Sequence, residues 1–153
     1  MDTGLLHLHN FMRWVLLLFA FITIFRSRSG IANKRAFTSA DKKNALFLLI
    51  SADIQLVLGL ILYYQKGWWS QISSGAIKMS DSYLRFWGIE HIFGMIVAIV
   101  LIHIGYSSAK KDIADEAKFK KLFWFTTIAL IIILITIPWP FRGVVARPLV
   151  PGM

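Results

Sequence analysis

Arg85-Phe-Trp-Gly-Ile-Glu90-His91-Ile-Phe-Gly94-Met-Ile-Val-Ala98-Ile-Val-Leu-Ile-His103-Ile-Gly105 is apolar and long enough to cross a bilayer, yet it holds a glutamate, two histidines and three glycines. A charged side chain facing lipid at the bilayer centre costs about 2.5–3.5 kcal/mol. The polar groups of this stretch are therefore expected to face protein, a cofactor or water.

Outward from this stretch, three more apolar runs of comparable length appear, at roughly 5–25, 45–64 and 119–137, beside 86–106 for the opening one. Runs of about 20 apolar residues are the mark of transmembrane helices. With 57% hydrophobic residues and a mean hydropathy of +0.63, the 153 residues read as one integral membrane domain, all-α, a four-helix transmembrane bundle. All four prolines fall in the segment 138–153, which predicts an extended or turn-rich tail. The absence of cysteine excludes disulfides, thiolate metal sites, iron–sulfur clusters and covalently attached haem.

The net charge of +9 does not indicate nucleic acid, because of where it lies. Arg26, Arg28, Lys34, Arg35, Lys42 and Lys43 fall between the first two runs, and Lys110, Lys111, Lys118, Lys120 and Lys121 between the last two. No Lys or Arg precedes Arg13, and the 65–84 segment has only Lys66 and Lys78. By the positive-inside rule both basic loops are cytoplasmic and both termini lie on the outer, periplasmic side. The lipid bilayer is then the partner of these cations, and no nucleic acid is expected.

Local signals place the helix ends. Met1-Asp-Thr-Gly lacks the positive n-region of a signal peptide, and Thr3 is a candidate cap for the first helix. Arg26-Ser-Arg-Ser-Gly30 reads as its end. Thr38-Ser-Ala-Asp41 is a credible start for the second helix, and Ser80 or Ser82 for the third. Tyr63-Tyr64 and Trp68-Trp69 form an aromatic belt at the outer interface. Lys110 to Lys121 is expected to extend a helix into the cytoplasm, with Asp112 and Glu116 at i,i+4 spacing.

Depth connects the polar residues. At 1.5 Å per residue, with the outer boundary near Leu6 and Phe86, His9 falls about 5 Å deep, His91 about 8 Å and Arg13 about 10 Å. His103 falls about 18 Å below His91 and is expected to stand alone near the cytoplasmic end. Two imidazoles at one level on different helices suit the axial ligation of a b-type haem, and bundle cores are a usual site for such cofactors. Gly88, His91, Gly94, Ala98 and Gly105 would offer the porphyrin a surface of small residues. Arg13, Arg85 and Arg142 are candidates to pair with propionates, and Phe11, Trp87 and Phe93 to line the ring.

Other readings of the same residues exist. His9 and His91 are equally compatible with helix packing, which leads to a haem-free accessory subunit that stabilises a larger membrane complex. There His9, Arg13, Glu90 and Asp53 form a buried polar network. Glu90 would otherwise orient His91 or move protons. Asp53 is expected to pair with Arg13, the alternative being a proton relay. A copper site from His7, His9 and Met12 fails because residues two apart diverge on a helix, and Glu90 with His91 fails as a zinc or iron site for a similar reason.

Leu6-His-Leu-His9-Asn-Phe-Met-Arg13-Trp14, Ile54-Gln-Leu-Val-Leu-Gly-Leu-Ile-Leu-Tyr63, Arg85-Phe-Trp-Gly-Ile-Glu90-His91 and Ile137-Pro-Trp-Pro-Phe141 resemble segments of short bacterial four-helix membrane proteins labelled cytochrome b-like. The likeness covers nearly the whole chain. It implies a haem-associated electron carrier or subunit, rather than a stand-alone enzyme, in the bacterial cytoplasmic (inner) membrane. A quinone is a candidate redox partner, and a larger complex or homo-oligomer the expected setting. Those proteins carry Ala-His-Ile-Gln on the second helix where this chain has Ala52-Asp53-Ile54-Gln55. No ligand is therefore expected from helix two, and His9 and His91 are the candidates that match.

Overall fold

A computed structural model describes residues 3–150; Met1, Asp2 and residues 151–153 lie outside the described residues. Four long helices, α1 (Thr3–Ala32), α2 (Ser39–Gln65), α4 (Ser82–Ala109) and α5 (Asp115–Thr136), are long and apolar enough to cross a membrane. A short α3 (Trp68–Ser73) joins α2 to α4. The helices stand in a ring: α1 packs on α2 and α5, and α4 packs on α5 and α2. α1 and α4 are thus diagonal to each other.

Only 28–33% of each apolar window is buried inside the bundle. The core holds Leu16, Leu17, Leu48, Ala98, Ile102 and Leu130 among others, while Leu18, Val57, Val100 and Ile131 point outwards, each more than half exposed. A soluble protein buries its large apolar side chains preferentially. Lipid must cover this outer surface, and the chain is a multi-pass membrane protein.

Three helix ends depart from the sequence reading. α1 passes through Arg26–Gly30 without stopping, because Ser27 and Gly30 are buried and serve close packing. A Cβ on Gly30 would collide with the Phe119 ring at 2.5 Å. The Lys110–Lys121 segment does not extend a helix: α4 ends at Ala109 and α5 begins at Asp115. Asp112 sits in the break, and Glu116 pairs with Lys120 at 2.6 Å instead. At the start of α4 the cap is Asp81, which accepts from the Tyr83 and Leu84 amides; a carboxylate is a strong cap. Thr38 does cap α2, with a reciprocal bond from its own amide to Asp41.

Asp41 makes the loop end of the bundle rigid. Its carboxylate accepts from Arg26 at 2.7 Å and Arg35 at 2.6 Å and from the Thr38 amide and hydroxyl at 2.9 and 2.8 Å. The hydrogen bond to Asp41 pushes the Arg35 guanidinium pKa up, and that guanidinium also lies over the Phe119 ring at 4.6 Å. At the opposite end, Gly67 with φ +73° takes a left-handed turn that lets α3 follow α2 at once. The tail then folds back across this end: Arg13 and Trp14 donate to the Leu149 carbonyl at 2.7 and 3.0 Å, and the Arg147 amide bonds Pro138 at 2.9 Å.

Candidate functional site

α4 is not a regular helix. Five residues, Phe86–Glu90, form one π-turn before the α geometry resumes at His91. Such a turn inserts an extra residue and shifts the helical phase, and it is frequent at functional sites. The Tyr63 hydroxyl on α2 donates to the Gly88 carbonyl within it at 2.6 Å. Arg85 and Glu90, five apart, are brought together across the turn at 2.6 Å. A regular helix would set them about 140° apart.

Next to this turn lies a cavity of about 190 Å³, larger than an engineered apolar cavity of about 150 Å³ that takes benzene. His9 and Arg13 reach it from α1, Gln55 and Gly59 from α2, and Trp87 and His91 from α4. Ile133 and Ile137 form its α5 side, and Pro138, Arg147 and Pro148 of the tail close it. Two imidazoles from diagonal helices therefore line one partly open cavity.

Each imidazole has a nitrogen to spare. His91 Nδ1 lies 2.9 Å from the Thr136 carbonyl. A carbonyl only accepts, so Nδ1 carries the proton and Nε2 is left with its lone pair. Nε2 has no hydrogen-bond partner among the described residues. Ligating histidines are characteristically held in this manner, the far nitrogen donating to a carbonyl. His9 Nε2 lies 3.3 Å from Gln55 Nε2, and its buried Nδ1 has no partner. Turning the Gln55 amide over exchanges donor and acceptor between these groups, but Nδ1 stays unpaired either way. Gly59 lies beneath the ring: a Cβ there would sit 3.2 Å from His9 Cε1.

Arg13 Nε, Gln55 Oε1 and Trp87 Nε1 are also buried without partners. Buried polar groups are paired in nine cases of ten or more, so a group of four around one cavity calls for an explanation. Cations border the same space. Burial, with the Arg147 cation nearby, pushes the Lys66 ammonium pKa down, and an anion placed there would relieve both effects.

The structure brings together His9, His91, Arg13 and Trp87 of the expected site. It removes the others. Arg85 is held by Glu90 and by the Met79 carbonyl at 2.7 Å, away from the cavity. Arg142 donates to the Ile135 and Ile137 carbonyls, where it caps the end of α5 as cations commonly do. Gly94 faces α5, where an added Cβ would strike the Thr136 methyl, and Gly105 faces Phe125. The stripe of small residues is a helix-packing seam, not a porphyrin surface. Phe11 and Phe93 point outwards, 60% and 67% exposed.

The expected polar network does not form either. Glu90 goes to Arg85, and Asp53 bonds His103 at 2.7 Å rather than Arg13. In an antiparallel pair of helices side chains lean towards their own N-termini, so Asp53 on α2 and His103 on α4 lean towards each other along the axis. His103 therefore does not stand alone, although it lies nearer the Ala109 end of α4 than the Ser82 end.

Gln55, Gly59, Tyr63, Lys66 and Arg147 are cavity residues that the sequence did not single out as a site. Gln55 carried a signal, as an amide in mid-run, and Gly59 sits one helical turn beyond it. Arg147 carried none, because the folding back of the tail is a tertiary event. No protein family, curated protein or solved structure matches the chain.

Proposed function

We propose that this protein holds a b-type haem in the cavity, with His9 and His91 as axial ligands, and serves one-electron transfer in the membrane, with a quinone as redox partner. The observation that carries this reading is the convergence of two imidazoles with spare nitrogens from diagonal helices, one of them fixed through Nδ1 by a backbone carbonyl. Gly59 leaves room beside the His9 ring, and the donor set suits haem iron. When bound, the haem supplies the one-electron chemistry.

The chain's own residues have separable parts. The Thr136 carbonyl fixes the tautomer and the orientation of His91. Arg13, Lys66 and Arg147 offer three cations to the propionates. Met95, Ile99 and Ile133 give the space its apolar wall and exclude water. A porphyrin is larger than the cavity as it stands, since pockets for drug-sized ligands already take roughly 300–1,000 Å³. Gln55 and the Pro138–Pro148 tail border the space that a porphyrin would have to enlarge. By the distribution of basic residues the cavity lies on the periplasmic side of a bacterial inner membrane.

The haem-free accessory role rested on a network joining His9, Arg13, Glu90 and Asp53, and these residues are dispersed among other partners. Absorption spectra of the purified protein, oxidised and reduced, decide the matter. A sharp reduced α-band that disappears in both His9→Ala and His91→Ala is expected. A colourless, helical, full-length preparation made with haem supplied would overturn the proposal.

A further inference from the structure

Asp53 and His103 form a 2.7 Å pair whose side chains are 46% and 49% exposed, on the outside of the bundle and not in its cavity. Ala45 and Ala109 pack together at one end of α2 and α4, and Tyr63 meets Gly88 at the other. Measured along the helices, the pair lies about 9–12 Å from the first contact and about 15–22 Å from the second. It is therefore deep within the apolar belt. Ile50 and Val57, one turn either side of Asp53, and Val100, one turn from His103, are all exposed on the same face.

Ionisable residues at this depth are expensive against lipid and nearly always face protein or water. We propose that the Asp53–His103 pair is the centre of a two-fold interface with a second copy of this chain. Copies inserted in the same orientation present identical patches at identical depth, so an axis along the membrane normal sets pair against pair. The chemistry is self-complementary. His103 Nε2 and Asp53 Oδ1 are used within the chain, and no hydrogen bond to His103 Nδ1 or Asp53 Oδ2 occurs among the described residues. Each copy therefore offers one ring nitrogen as a donor and one carboxylate oxygen as an acceptor. A two-fold axis matches the donor of each copy to the acceptor of the other and closes a four-membered ring of side chains. Interhelical polar contacts of this kind hold membrane helices together. The interface is independent of what the cavity holds.

The chain has no cysteine, so single cysteines report on it directly. Val57→Cys and Val100→Cys flank the pair, and Ile131→Cys on α5 and Phe21→Cys on α1 are outward-facing controls. Oxidative cross-linking in membranes is expected to give a species of twice the chain mass from at least one flanking position and not from the controls. Adding Asp53→Leu with His103→Leu, which makes the face wholly apolar, should abolish that species while the full-length helical protein persists. Cross-linking no greater than in the controls, a cross-linked species of any other mass, or a dimer that survives the double leucine change would overturn the proposal.

Discussion

At one end of the bundle a single carboxylate, Asp41, accepts from Arg26, Arg35 and Thr38. At the other, His9 Nδ1, Arg13 Nε, Gln55 Oε1 and Trp87 Nε1 are buried with nothing to bond. Satisfied polar clusters rigidify and specify a fold, while unsatisfied ones carry the full cost of desolvation. The contrast teaches where each end spends its polar residues: the first holds a loop and a helix start in place, and the second turns unpaired donors and acceptors towards a cavity.

The sharpest way to break this comparison is to disable the satisfied end. Asp41→Ala removes the carboxylate half of the α2 capping box and the shared acceptor of two guanidinium groups, and should cost about 2–4 kcal/mol, discounted for the partial exposure of both arginines. Chemical unfolding in detergent followed by circular dichroism measures it. A loss below about 1 kcal/mol would mean that solvent already satisfies these groups and that the two ends do not differ in kind.

A somewhat smaller loss is expected from Gly94→Ala. The new methyl meets Thr136, whose hydroxyl donates to the Ile132 and Ile133 carbonyls at 2.8 and 3.2 Å. Overpacking of this kind costs about 1–3 kcal/mol. Because the Thr136 carbonyl also holds His91, the same change should weaken ligand binding at the cavity, which spectroscopic titration with haem would register. Normal binding with reduced stability would separate the packing seam from the site.

Much of the architecture was legible because membrane helices announce themselves by length. The four spans, the Thr38–Asp41 start of α2 and the polar residues of α1 needed no tertiary information. The site was only half legible, and the reasons are physical. The π-turn at Phe86–Glu90 brings Arg85 and Glu90 together, a pairing that a regular helix at this spacing would not allow. Small residues serve helix packing and ligand access alike, so Gly94 was ambiguous until α5 was seen against it. Asp53 found His103 because opposed helices lean their side chains together, a direction that depth counting along one helix ignores. Arg147 reaches the cavity only through the folded tail, whereas Lys66 lies at the end of α2.

Gln55→Leu turns the comparison round. It deletes the orphaned Oε1 and the contact to His9 Nε2 while keeping much of the side-chain volume. Removing the unsatisfied oxygen is favourable, but losing the contact leaves the buried His9 ring without a partner at either nitrogen, so the two effects oppose and a net loss of no more than about 1 kcal/mol is expected. Thermal unfolding of the ligand-free protein checks this. A large loss would show that Gln55 is part of a paired network and not a residue held in reserve.

The smallest change in stability is expected at Gly59, and it is the most discriminating. In a helix interior, alanine for glycine gains about 0.5–1 kcal/mol. Against that, the new Cβ would stand 3.2 Å from His9 Cε1, so the ring must give by a few tenths of an ångström. The two effects oppose each other, and Gly59→Ala should leave the unfolding transition nearly where it was. Ligation has no such tolerance, because axial geometry depends on where the imidazole sits. The variant is therefore expected to unfold like the parent and yet bind haem more weakly or with an altered reduced spectrum. If binding and spectrum are both unchanged, the space above Gly59 does not serve His9 as a ligand, and the unpaired nitrogen of His9 loses its explanation.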